Sequence, residues 1–164
     1  MRQSSYVLIV PLLVVLMSCA SSAPVGNENQ GPPFATLRFK TSGCMSCSQC
    51  RSTIRQVERG WPLGTLKIGD ESTTLEVWKP VPLDVGSIVR DLEAAGIIRF
   101  KVHEAEMEVD GGCLDGYFVL SASKQKFPLA MGAAWPRVGT TRRMTAKIMD
   151  WEDPKRINVA PLDP

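Results

Sequence analysis

Between Phe34 and Val102 the spacing of apolar residues changes from two to three and four and back again, twice over, and this rhythm restricts the fold more than any other feature of the chain. Ala35, Leu37 and Phe39 alternate with Thr36, Arg38 and Lys40, the pattern of a strand with one buried face. Cys47, Cys50, Ile54 and Val57 then fall at steps of three, four and three. They share one face of a helix running to Arg59, which Gly60-Trp61-Pro62 ends. Leu66 and Ile68, and after them Leu75 and Val77, alternate on either side of the turn residues Gly69-Asp70-Glu71-Ser72, which reads as a hairpin. Asp84 suits the N-cap of a second helix in which Val85, Ile88, Val89 and Leu92 line one face, closed by Gly96. Ile98, Phe100 and Val102 give a last alternating run.

The resulting order, βαββαβ, predicts an α+β unit over residues 34–104, a ferredoxin-like sandwich with two helices on one face of an antiparallel sheet. Residues 105–164 do not repeat it. Short alternating runs at Met107-Val109, Tyr117-Leu120, Phe127-Ala130, Met144-Ile148 and Ile157-Val159, separated by Gly, Pro and Asp, predict a small all-β unit, a little barrel or an OB-like sheet. With 44% hydrophobic and 22% charged residues, the 164-residue chain has enough apolar material to fold both units. Its formal charge of only +2, with Lys and Arg scattered among nearly as many Asp and Glu, argues against a nucleic-acid partner. Trp135 and Trp151 read as packing residues, and the single histidine, His103, as a strand residue rather than a ligand.

The N-terminus is expected to lie outside the fold. Arg2 precedes an apolar run from Tyr6 to Met17 that matches the length of an export signal and is shorter than the roughly 20 residues of a membrane span. Its end, Leu16-Met17-Ser18-Cys19, resembles the bacterial lipobox. That resemblance implies removal of residues 1–18 and acylation of Cys19; a plain secretory signal with an incidental Cys19 is the other reading. With Ala20 next, the resemblance also implies an envelope lipoprotein of the outer membrane, facing the periplasm. Residues 19–33, rich in Ser, Gly, Asn and Pro, read as a flexible tether.

Three of the five cysteines fall within Gly43-Cys44-Met45-Ser46-Cys47-Ser48-Gln49-Cys50. Where a loop enters a helix, Cys47 and Cys50 converge, and the unpaired amides of a helix N-terminus stabilise a thiolate. Two convergent thiolates on an open site suit soft ions, Cu(I) first, with Zn(II) and Hg(II) as further possibilities. The Met45-x-Cys47-x-x-Cys50 motif, with Gly43 before it and Ile54 four residues after, resembles the heavy-metal-associated domain of copper chaperones, metal-transporting ATPases and periplasmic mercury-binding proteins. The resemblance covers residues 34–104. It implies Cys47 and Cys50 as metal ligands, Met45 as a packing residue of the loop, and transfer of the ion between donor and acceptor proteins of the envelope.

Cys44 departs from that family's pattern, standing where Gly would directly precede Met. It is either a third metal ligand or a spare thiol. The family's Lys, Tyr or Phe near the metal is replaced here by Gly96-Ile97-Ile98-Arg99. Cys113 invites comparison with four-cysteine iron–sulfur ligation, but the proline that follows the last ferredoxin cysteine is missing, and a buried or disulfide-bonded Cys113 is the plainer reading. The expected function is therefore a non-enzymatic metal-binding lipoprotein that buffers or passes on a soft ion. The competing reading is a thiol-disulfide redox protein using Cys47 and Cys50, since export places them where disulfides form.

Overall fold

The computed structural model describes residues 31–43, 47–95, 99–133, 142–153 and 156–162. The signal segment 1–18, Cys19, the tether up to residue 30, Cys44, Met45, residues 96–98 and Trp135 lie outside the described residues. Alternation in the first half becomes strand β1, Ala35–Ser42; helix α1, Ser48–Gly60; strands β2, Thr65–Ile68, and β3, Ser72–Val77; and helix α2, Val85–Ala94. Then come β4, Lys101–Leu114; β5, Tyr117–Leu120; β6, Lys126–Pro128; β7, Arg142–Met149; and β8, Asn158–Pro161.

These strands do not assemble as the two-piece expectation had it. Among the described residues there are eight strands in one antiparallel sheet and two helices. The ferredoxin-like βαββαβ sandwich followed by a separate all-β unit is therefore corrected to a single sheet. The reason lies in β4, which is 14 residues long where a short closing run ending at Val102 was expected. Its inward positions Val102, Ala105, Met107, Val109 and Gly111 are all buried, so apart from the extra residue at His103 the apolar row continues past residue 104. In a four-stranded sandwich this strand would be an edge. Here β1 pairs with one side, Ala35 opposite Val109 through Ser42 opposite Lys101, and β7 takes the other, Ala105 opposite Ile148 through Gly111 opposite Arg142.

Beyond β1 the far end of β4 turns at Asp115-Gly116, both in the left-handed region at φ 50° and 80°, and returns as β5. Asp-Gly is the pair that a two-residue hairpin with two positive φ angles favours. β5 pairs with β6, and just past β6 Leu129 forms a parallel bridge to Val159 of β8, which pairs with β7. The path β4-β5-β6-β8-β7-β4 is thus a closed ring. Phe118, Leu120, Phe127, Ala146, Ile148 and Val159 are buried in the same apolar cluster as Leu37, Phe39, Leu75, Val89 and Leu92. The Phe118 ring needs the bare backbone of Gly111, where a Cβ would stand 2.5 Å from it.

Helix α2 begins at Asp84, whose carboxylate accepts from the Ser87 amide at 3.0 Å and from its hydroxyl at 2.7 Å. Those bonds, and the Arg90 charge, hold the Asp84 carboxyl below the usual carboxylate range. The approach to α2 is tied to the ring by one side chain. Gln125, between β5 and β6, accepts from the Leu83 amide at 2.7 Å and donates to the Leu83 carbonyl at 2.8 Å. On the opposite, solvent-facing side of the sheet, Glu108 bridges Arg38 and Arg143, Glu104 bridges Lys40 and Lys147, and Glu76 pairs Lys67. At the outer edge, Glu58 of α1 accepts the Ile68 amide of β2 at 2.7 Å.

Two outcomes are expected. Gln125→Ala leaves the amide and carbonyl of buried Leu83 without their partners, so it lowers stability by about 2 kcal/mol. In urea that loss should shift one transition for the whole sheet; two separate transitions would contradict a single cooperative body. The second concerns acid. Glu108 is held below the ordinary carboxylate range, first by its hydrogen bond from Arg143 and then by the charges of Arg143 and Arg38. A depressed carboxylate contributes stability above its unfolded pKa and loses it as pH falls through the folded value. Glu108→Gln should therefore flatten the decline of melting temperature below about pH 4 and leave no extra slope near neutrality.

Candidate functional site

Helix α1 starts at the end of β1, and its first turn carries both sulfurs. Cys47 is the N-cap, extended at φ −81° and ψ 151°, and its carbonyl accepts the first helical bond from Arg51 at 3.1 Å. Its Sγ accepts from the Cys50 amide at 3.2 Å. Sulfur thus takes the position that a Ser or Asp oxygen ordinarily fills at a helix start. Cys50 stands three residues on, at the position whose side chain lies beside the N-cap in a capping box. The two cysteines are therefore neighbours at one helix end.

Their surroundings differ. Cys47 is exposed, while Cys50 is only 6% exposed and lies on the inward side of α1 with Ile54. Two thiols on an open site were expected, and the helical period explains the difference. Cys50 and Ile54 are four residues apart and so point to the same, core-facing side, whereas Cys47 precedes the first turn and escapes it. The arrangement offers one sulfur open to solvent and one sheltered immediately behind it. Cys44, the candidate third ligand, and Met45 lie outside the described residues, as does the acylation candidate Cys19. Among the described residues no group of three or more His, Cys, Asp or Glu side chains forms a ready metal cluster.

Cys113 is a half-buried free thiol near the far end of β4, opposite Phe118, and burial pushes its pKa up. Val102 faces Thr41 at the end of β4 next to the sulfur loop, eleven residues before Cys113. Eleven residues of strand span about 36 Å, too far for Cys113 to join Cys47 and Cys50 around one cluster. His103 lies at the near end. The β1–β4 register slips between Lys40 and Thr41, leaving His103 as the extra residue of a bulge, its Nε2 2.6 Å from the Ser42 hydroxyl. Trp151 is partly buried against the core, its carbonyl 2.7 Å from where a Cβ on Gly86 would sit. It packs, as its type suggested.

A feature missed in reading the chain is the opposite face of α1. Arg51, Arg55 and Arg59 recur at every fourth position and are all exposed. The spacing was visible; counting charges over the whole chain hid it, because the acids that balance them sit on the sheet. No helix of the described residues is long and apolar enough to cross a membrane.

Because sulfur is a weak acceptor, Cys47→Ser keeps the cap and should leave folding stability equal or raised by about 0.5 kcal/mol, while Cys47→Ala should lower it by a similar amount. Denaturant midpoints of the reduced proteins test this, and they separate the capping role of residue 47 from any ligand role. Comparisons with models of known families, with curated proteins and with solved structures find no match to this chain.

Proposed function

We propose that the protein binds a soft metal ion, Cu(I) before Zn(II) or Hg(II), between the sulfurs of Cys47 and Cys50, and that it buffers the ion or hands it on without catalysing a reaction. The observation that carries this reading is the position of the two cysteines on one helix end, with the Cys47 sulfur 3.2 Å from the Cys50 amide. Sulfur ligands converging at one point suit a soft ion better than a hard one, which prefers oxygen. An exposed Cys47 gives the ion a way in and out, and the buried Cys50 holds it out of bulk water. With only two protein sulfurs engaged, a donor or acceptor thiol can enter as a third ligand and exchange. Cys44, three residues upstream, is a candidate to fill that place from within the chain. Acylation at Cys19 would keep this exchange at the envelope membrane, on the periplasmic side of the outer membrane, with donor and acceptor proteins as partners.

The same asymmetry supports a second reading. In thiol-disulfide exchange an accessible thiolate attacks and a sheltered neighbour resolves the mixed disulfide, and exposed Cys47 with buried Cys50 has that form. The two readings part in one experiment. Residues 20–164 are reduced without oxygen, and Cu(I) stoichiometry is measured for the parent and for Cys47→Ser, Cys50→Ser and Cys44→Ser. One ion per parent chain is expected. Cys47→Ser and Cys50→Ser should each lose tight binding, and Cys44→Ser should weaken or alter it. Unchanged binding in both of the first two variants would remove the metal reading, and insulin reduction without metal affinity would install the redox one.

A further inference from the structure

The charges on the exposed face of α1 are all positive, and the fold makes them so. Arg51, Arg55 and Arg59 form a row about 12 Å long at the helical rise of 1.5 Å per residue, all three exposed. The one acid in the helix, Glu58, is turned aside to accept the Ile68 amide. None of the three arginines forms an ion pair among the described residues. By contrast, Arg38, Lys40, Lys67, Arg143 and Lys147 on the open face of the sheet are each paired with glutamate. Beside Arg55 and Arg59 lies a shallow hollow of about 570 Å³, lined also by Ser52, Gln56 and Gly60.

We propose that this row docks on the phosphate headgroups of an anionic phospholipid bilayer. Guanidinium groups take phosphate oxygens in pairs, and the fixed fork suits them better than the point charge of lysine. Three forks on one convex flank of the helix, each turned about 40° from the last, can each reach a phosphate of a headgroup array, and the hollow beside Arg55 and Arg59 is too open to enclose one small anion. A bilayer is favoured over an acidic polypeptide by what precedes the fold. The 14 residues from Ala20 to Pro33 extend to about 46 Å, whereas a unit the size of Gly31–Pro164 has a radius of gyration of about 14 Å. The choice of a bilayer rests on the acylation of Cys19 proposed above: a segment of that reach would let the helix lie flat on the membrane holding the anchor. The row stands whether or not Cys47 and Cys50 take a metal.

Residues 20–164, which contain all of the unit Gly31–Pro164 and lack the acylation site, test the surface itself. At low ionic strength they are sedimented with vesicles of phosphatidylglycerol or of phosphatidylcholine. Binding to phosphatidylglycerol alone is expected. It should weaken about fivefold for Arg55→Gln and on the order of 100-fold when all three arginines become glutamine, and it should vanish at high salt. Thermal melting of each variant confirms that it is folded, and the single change carries the test if the triple one is not. Equal binding to both lipids, or full binding by folded variants, would overturn the proposal. So would arginine-dependent retention on polyglutamate with no vesicle binding, which would assign the row to an acidic protein.

Discussion

Both sides of β4 are occupied along its middle, by β1 and by β7, and its inward residues from Val102 to Gly111 form one buried row. Everything else in the fold depends on that shared strand. β1 brings the sheet that supports both helices, β7 and the β5 hairpin bring the ring, and Met107 and Val109 sit in the single apolar cluster that joins them. Gln125 adds a polar tie by bonding the amide and carbonyl of Leu83. A core shared in this way makes the two halves of the chain mutually dependent, because neither could expose its side of β4 without uncovering apolar surface.

Local elements were legible in the sequence and their assembly was not. Alternation placed β1, β2, β3, β5 and β7, and the Asp84 cap placed α2, because each rests on period and on turn chemistry within a few residues. The extent of β4 was hidden for a physical reason. The boundary was expected after Glu104, with Met107-Val109 as a separate short run, yet Glu104, Glu106 and Glu108 are the outward positions of one continuing strand. Pairing of β7 with β4 joins residues more than thirty apart, and no local pattern encodes it.

At the sulfur site, the proximity of Cys47 and Cys50 was legible because a spacing of three at a helix start brings side chains together. Their unequal exposure was not read from the same residues, although the step of four from Cys50 to Ile54 implied it. The arginine row was equally open to view in the spacing of Arg51, Arg55 and Arg59. It was obscured by a balanced total charge, which says nothing about how a fold sorts its signs. α1 thus presents three distinct sides: apolar toward the core, thiol at its start, cationic toward solvent.

The carboxylate of Glu58 on the Ile68 amide has a consequence for how copies of this chain meet. A sheet ordinarily ends in a row of unused amides that can recruit a stranger's backbone. Here the far margin folds into a ring through Leu129 and Val159, and the near margin has a helix side chain seated on it. Among the described residues, both margins thus offer a second copy fewer unused amides to pair with than an open sheet of this length would.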